Sequence, residues 1–253
     1  MIESVHIPIY CDSEENKAGA LLTLKTIRVG FPNVRVCVYY EGTVKSIGLN
    51  VAEICGDNGF EFNFPYPENP QTNDRIIKEL VYSDHPVRSQ GRGFAVVDSD
   101  VVFFENCEDF ETEGLIAGEF IPEFICPIAK AVTVSRLHTA FFVVPDPVKL
   151  RRAIELTYRP ALPKFCPFDP FAPVVTFRGK PPEPYFYDSC AMLYHAIGGN
   201  KFDDGMLRRF EHLYAGSYAI GEHRDRINAA YQNSENARGT REIMTRYFEE
   251  RKP

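Results

Sequence analysis

The chain reads as an α/β protein, one domain built around a central mixed sheet. Three observations predict this. Val5 to Tyr10 and Val34 to Tyr40 are strand-like runs that flank a stretch where Leu21, Leu24, Ile27 and Phe31 recur at helical spacing. Phe94 to Val97 is apolar without alternation, the pattern of a strand covered on both faces. Thr139 to Val144 is a clear strand, ended by Pro145-Asp146-Pro147 and followed by a helical pattern from Val148 to about Tyr158. Strand, helix and strand at the N-terminus make a βαβ unit, so the crossover is right-handed and the sheet parallel there.

The elements follow in order. Ser13 with Glu14 and Glu15 offers a capping hydroxyl and first-turn acids, and Gly30 with Pro32 stops the helix. Val51 to Cys55 and Phe60 to Phe64 read as short strands, and the Pro-rich turn at 65–70 follows. Asn73 or Asp74 caps a helix through Val81, with Ile76, Ile77, Leu80 and Val81 inward and Arg75 and Lys78 near the ligand edge. Glu105 to Glu113 reads as solvated, and Leu115 to Phe120 as a short strand. Pro160 to Pro184 holds eight prolines and several phenylalanines with little periodicity. That predicts a long loop, neither helix nor ladder, placed as a lid at the functional cleft. Asp188 to Gly198 reads as a helix opened by its aspartate, with Ala191, Met192 and His195 among its core positions. Phe210 to Ser217 is a short aromatic segment ending in small residues. The charged tail from Arg224 is peripheral, and no internal repeat is present.

Composition narrows the function. The length of 253 residues suffices to bury a core, and a net charge of −7 argues against general nucleic-acid or membrane-surface binding. It permits an anionic small molecule, because a bound cation reverses the field locally. Seven cysteines from Cys11 to Cys190, without a Cys-x-x-Cys pair, fit reduced buried thiols. The N-terminus lacks the basic and apolar regions of a signal peptide, and no apolar run has membrane-spanning length. The expectation is a cytoplasmic protein without a membrane span; nothing in the pattern specifies an oligomeric state.

The chemistry concentrates in Asp98-Ser99-Asp100, set between the apolar runs Phe94–Val97 and Val101–Phe104. Two carboxylates two residues apart lie on one side of an extended chain. At the end of a buried strand they face the crevice where α/β sheets bind ligands. Buried and unpaired they would repel and take up protons; a divalent cation keeps both ionised. Oxygen ligation suits Mg²⁺ or Mn²⁺ carrying phosphates. The alternative is an Asx-turn closing a β-hairpin.

The N-terminal βαβ unit, the strand ending in Asp98-Ser99-Asp100, the later Asp188 and the late His212 together resemble nucleotide-sugar glycosyltransferases of the GT-A fold, with a Rossmann-like N-terminal half. The resemblance covers residues 5 to 220 and lies in the order and spacing of motifs. It implies a Mn²⁺ or Mg²⁺ ion on the diphosphate of a UDP- or GDP-sugar donor. Asp100 would be a direct metal ligand, and Asp98 would reach the ribose, the sugar or the metal, with Ser99 beside them. Tyr10, Cys11 and Asp12 would contact the nucleoside; Asp12 as a helix cap is the alternative. His212 would join the metal, with Gly216 and Ser217 letting backbone approach the diphosphate; His223 competes for the histidine role. The resemblance further implies a donor half at 1–104, an acceptor half at 105–223 and a tail at 224–253. Asp188 would be the general base toward an unidentified acceptor hydroxyl, or else a helix N-cap. The family's commoner Glu-Asp pair is Tyr187-Asp188 here. Arg136, His138 and Thr139 would line the acceptor and sugar pocket, or form the loop leading into the next strand. Phe165, Phe168, Phe171, Tyr185 and Tyr187 would make a lid or stacking surface, or else a satellite core.

Two other functions compete. Asp98-Ser99-Asp100-Val101-Val102 also resembles the motif of haloacid-dehalogenase-like phosphohydrolases, with Asp98 as nucleophile and Asp203-Asp204 as the later acidic motif. A non-catalytic nucleotide-sugar-binding protein is the third reading.

Overall fold

The computed structural model describes residues 2–9, 14–40, 45–63, 73–82, 92–126, 131–158, 169–178 and 183–212. Its first half repeats one unit. β1 (Ile2–Ile9), α1 (Glu14–Gly30) and β2 (Arg35–Tyr40) form a parallel βαβ turn, which α2 (Lys45–Asn58) and β3 (Glu61–Asn63) extend outward. α3 (Asn73–Tyr82) then leads to β4 (Gly93–Val97), parallel to β1 on its other side. Strand order therefore reverses between β1 and β4. Their C-terminal ends flank a topological switch point, and Asp98 is the residue just past β4.

The second half adds β5 (Val101–Phe103), β6 (Ala117–Ile121), β7 (Phe124–Cys126), β8 (Ala131–Thr133) and β9 (Arg136–Val144). After α4 (Pro147–Tyr158) come β10 (Val174–Arg178), β11 (Glu183–Tyr187), α5 (Ala191–Ile197), β12 (Asn200–Lys201), α6 (Asp204–Leu207) and β13 (Phe210–His212). The main sheet has seven strands in the order β12-β6-β9-β4-β1-β2-β3, with β9 antiparallel to both β4 and β6. A four-stranded sheet, β10-β11-β8-β7, and a two-stranded one, β13-β5, stand beside it. This is a single mixed α/β domain, as the apolar runs predict.

The main sheet is covered on both faces. Ala95 and Val97 of β4 join one core with Ile7, Leu24, Ile27 and Phe141; Phe94 and Val96 join the other with Ile77, Leu80, Phe142 and Leu150. Alternate residues of one strand thus enter two cores, which is why Phe94–Val97 shows no polar alternation. The helix inferred over 73–81 is α3, and its buried residues are the four expected.

Several expectations are corrected. Val51 to Cys55 is helical: Ile47, Val51 and Cys55 are buried at a spacing of four, on one face of α2. The helix ends in Gly59 at φ 65°, with Phe60 N–H donating to Cys55 O at 2.8 Å and Gly59 N–H to Gly56 O at 3.3 Å. A cluster of apolar residues this short does not separate the two periods. Within 160–184, β10 pairs antiparallel with β11, so part of the expected loop is ladder. Phe171 is buried in the second core and Tyr187 packs with Val134 and Ala191, which is the core alternative for these two aromatics. Phe165 and Phe168, and the tail from Arg224, lie outside the described residues. His195 is exposed, and Leu193 takes the core position instead. Among the described residues Cys37, Cys55, Cys107 and Cys190 are free, buried thiols. No helix among those residues is long and apolar enough to cross a membrane.

Candidate functional site

The Asp-Ser-Asp turn is not a hairpin. β4 and β5 belong to different sheets, and β5 pairs with β13. α1 holds the turn from below. A Cβ at Gly19 would stand 3.4 Å from that of Asp100, Thr26 Oγ1 accepts from Phe103 N–H at 3.2 Å, and a Cβ at Gly30 would overlap the Phe103 ring. Small residues along one side of α1 let it approach β5 this closely.

The β13–β5 register then delivers the histidine. Phe210 stands opposite Phe103 and His212 opposite Val101, one residue past Asp100. His212 Nε2 lies 3.1 Å from Asp100 Oδ1 and 3.9 Å from Asp98 Oδ2. One ligand atom from each of the three falls within 4.8 Å of the others. Asp100 and His212 are buried, whereas the Asp98 side chain keeps 23% exposure, so the group opens on Asp98's side.

Three neighbours complete the arrangement. Asn73, the first residue of α3, donates from Nδ2 to Asp98 Oδ1 at 2.5 Å and to Thr139 O at 3.1 Å. Asp98 N–H donates to Ala140 O at 2.7 Å. Opposite, β9 carries a wide bulge. Between the pairs Gly118↔Phe142 and Phe120↔Leu137, Glu119 alone on β6 faces 138–141 on β9. Bulges re-aim side chains, and this one sets the His138 ring 4.9 Å from the His212 ring, with Nδ1 3.9 Å from Glu119 Oε2. His138 draws Glu119 below its ordinary carboxylate pKa, against the effect of burial.

The electrostatics are those of crowded negative charge. Burial, then the charge of Asp100, pushes Asp98 up to about 6. Burial alone would lower the His212 pKa, but the carboxylates of Asp100 and Asp98 outweigh it and raise it. Without a cation, a proton shared among these groups is what offsets the repulsion. Two carboxylate oxygens and one imidazole nitrogen are a donor set that could hold a divalent cation, whose charge would offset the repulsion between the two carboxylates.

The sequence-derived candidates divide into three sets. Asp98, Asp100 and His212 come together, and Ser99 lies between the two aspartates in the turn. Tyr10, Cys11, Asp12, Gly216, Ser217 and His223 lie outside the described residues. Asp188 stands apart from the turn in sequence and does not open α5 as expected. Cys190 occupies the N-cap at φ 59°, without a side-chain cap, while Asp188 lies two residues earlier. Asp188 Oδ2 pairs with Arg136 Nη2 at 2.7 Å, and its Oδ1 accepts from Ser189 N–H at 2.9 Å. Arg136, His138 and Thr139 belong to β9 itself and do not form a loop before it. Asn73 was legible only as a helix cap and Glu119 not at all, because neither sits in a motif. Asp203 is the N-cap of α6, accepting from Met206 N–H at 2.7 Å.

No protein-family model matches this chain, and no curated protein matches its sequence. Solved structures with a similar chain path include the bifunctional glycosyltransferase WbbM in its apo form. It is 10% identical over 96% of this chain and 52% of its own, with a TM-score of 0.48. This chain therefore spans about half the length of WbbM. The galactosyltransferase LgtC in complex with donor and acceptor sugar analogues is 11% identical over 94% of this chain and 99% of its own, TM-score 0.44. The PaToxG glycosyltransferase is 11% identical over 64% of this chain and 63% of its own, TM-score 0.34.

Proposed function

We propose that this chain is a metal-dependent glycosyltransferase that moves a sugar from a UDP- or GDP-sugar to an acceptor hydroxyl. One observation carries the reading: Asp98, Asp100 and His212 meet beside the C-terminal ends of β1 and β4, where α/β sheets bind ligands. Mn²⁺ or Mg²⁺ held there would supply positive charge against the diphosphate as it leaves. Asp100 and His212 would hold it from the buried side, and Asp98 from the open side. Asn73 fixes the rotamer of Asp98 through one oxygen and leaves the other toward the site.

The remaining assignments follow the chain. Tyr10, Cys11 and Asp12 come directly after β1 at the switch point, and we assign them to the nucleoside. Gly216 and Ser217 follow His212 and are assigned to the diphosphate. Residues 1–104 would then form the donor half, 105–223 the acceptor half, and 224–253 a peripheral tail. Asp188 is assigned to the sugar side in preference to proton transfer, because Arg136 and the Ser189 N–H already direct its two oxygens. Asp188→Asn tests the base role: a base variant loses transfer by orders of magnitude with donor affinity intact. The phosphohydrolase reading is not favoured, since Asp203 is committed as a helix cap and the acidic group is completed by a histidine.

Isothermal titration with UDP and with GDP, in Mn²⁺ and in EDTA, tests the proposal. Binding of one nucleotide that requires the metal is expected, together with slow hydrolysis of the matching nucleotide sugar. Absence of metal-dependent nucleotide binding overturns it. Binding with neither hydrolysis of the nucleotide sugar nor transfer to any of a panel of acceptors leaves the binding-protein reading in its place.

A further inference from the structure

Resting on the metal-dependent reading of the Asp98, Asp100 and His212 group, we infer that Glu119 is a positioning residue: acting through His138, it fixes the ring of His212. The device that brings these residues together is the bulge in β9. Between Gly118↔Phe142 and Phe120↔Leu137, β6 advances two residues and β9 five. The odd excess exchanges the faces of the strand. Unbroken alternation from Phe141 and Val143, in the first core, would send Leu137 there too, yet it lies in the second with Phe142 and Val144. His138, next to Leu137, therefore projects toward the side of the first core, where Phe103 of β5 and Phe210 of β13 pack. The bulge closes over Gly118, where a Cβ would stand 3.3 Å from the carbonyl oxygens of both His138 and Phe141. A side chain there would press on both.

Residues 138 to 140 each serve the metal group. Thr139 O accepts from Asn73 Nδ2 at 3.1 Å, the same nitrogen that donates to Asp98 Oδ1, and Ala140 O accepts from Asp98 N–H at 2.7 Å. The His138 ring meets the His212 ring at 4.9 Å between centroids and 52° between planes. One irregular stretch of β9 thus touches ligands that come from two different sheets.

His212 calls for such a neighbour. It ends β13, a three-residue strand paired only through the register with three-residue β5. The ring torsion of a histidine is broad and shallow, so packing has to set the plane in which a nitrogen meets the ion. His138 supplies that packing, but its own ring turns on the same soft torsion. Glu119 supplies the stop: Oε2 lies 3.9 Å from His138 Nδ1, and the two side chains keep only 28% and 16% exposure. Carboxylates commonly orient the imidazoles that bind metals, and removing one costs metal affinity. Here the carboxylate acts one ring further out.

Two readouts test this, one of them without metal. In EDTA at a single pH, nitrogen correlation spectra of the imidazole rings follow His212, whose signals are assigned by their loss in His212→Ala. Glu119→Ala should move them in the direction that His138→Ala does, because the ring loses its tilted neighbour. Mn²⁺ affinity without nucleotide, read from the electron paramagnetic resonance of the free ion, should fall about tenfold in each of these variants. The double variant should bind no more weakly than His138→Ala, since Glu119 acts through that ring. Glu119→Gln keeps an acceptor oxygen at the same reach and should recover most of the loss. If an alanine variant does not fold, Glu119→Met or His138→Leu, closer in size, takes its place with the same expectation. Unmoved His212 signals or wild-type Mn²⁺ affinity in Glu119→Ala overturns the inference. Losses that add in the double variant overturn it too, since Glu119 would then act on the ion by its charge alone. A wild type that binds no Mn²⁺ ends the metal-dependent reading instead, and the imidazole spectra by themselves then decide whether Glu119 holds His212.

Discussion

Two buried histidines, one inside the main sheet and one on the small sheet beside it, stand in different surroundings. His6, in β1, is fully buried between hydroxyls: Ser4 Oγ lies 2.9 Å from Nε2 and Tyr39 Oη 2.9 Å from Nδ1. Its ring stacks on Tyr39 and meets Phe94 edge-on. His212, on β13 of the two-stranded sheet, lies against two carboxylates and the ring of His138. The first environment matches each ring nitrogen with a neutral partner and assembles a core. The second gathers negative charge that the fold alone does not neutralise. Burial by itself therefore does not mark a functional histidine; the sign and balance of its neighbours do.

The largest expected effect is in the charged group. Asp100→Ala should abolish metal-dependent nucleotide binding by titration calorimetry. In EDTA its melting temperature should stay near the wild type or rise, because the substitution removes buried repulsion. Wild-type affinity in this variant would end the functional assignment.

The opposite result is expected at His6. His6→Ala removes a buried ring and leaves two hydroxyls without their partner, so urea unfolding should show a loss of about 2–4 kcal/mol. The folded fraction should keep its metal-dependent nucleotide affinity. A selective loss of nucleotide binding would erase the contrast between the two histidines.

A smaller effect is expected for His212→Ala. A water replaces a neutral ligand more easily than a charged one, so affinity for Mn²⁺ with nucleotide should fall by about 10–100-fold, less than in Asp100→Ala. Full affinity would remove the histidine from the site.

The smallest effect is a pH slope. Asp98 is raised from 3.8 to about 6 and His212 is raised above 6.5, so both bind protons more tightly in the folded state. Their stabilising contribution is complete below the unfolded values and is lost as pH rises through the folded ones. Metal-free stability should accordingly fall between about pH 4 and pH 7 more steeply than in Asp98→Asn. Metal affinity should rise over the same interval, because ligation needs the deprotonated groups. Parallel profiles for the two proteins would show that Asp98 is not perturbed.

Much of this was legible in the residues. The βαβ opening, the four inward residues of α3, the doubly buried β4 and the Asp98-Ser99-Asp100 interruption all follow from local period and turn chemistry, which neighbouring residues determine. The reading failed at α2, where Val51 to Cys55 is too short for strand and helix periods to differ, and at Asp188, whose helix starts three residues later. Tertiary structure alone decided the rest. His212 reaches Asp100 because β13 pairs with β5 in one register; a one-residue slip would turn the ring to the other face. Asn73 reaches Asp98, and the β9 bulge brings His138 and Glu119 beside His212, through contacts whose partners lie far apart in the chain. Local periodicity carries no record of such a register, since it is set by how whole strands and helices pack.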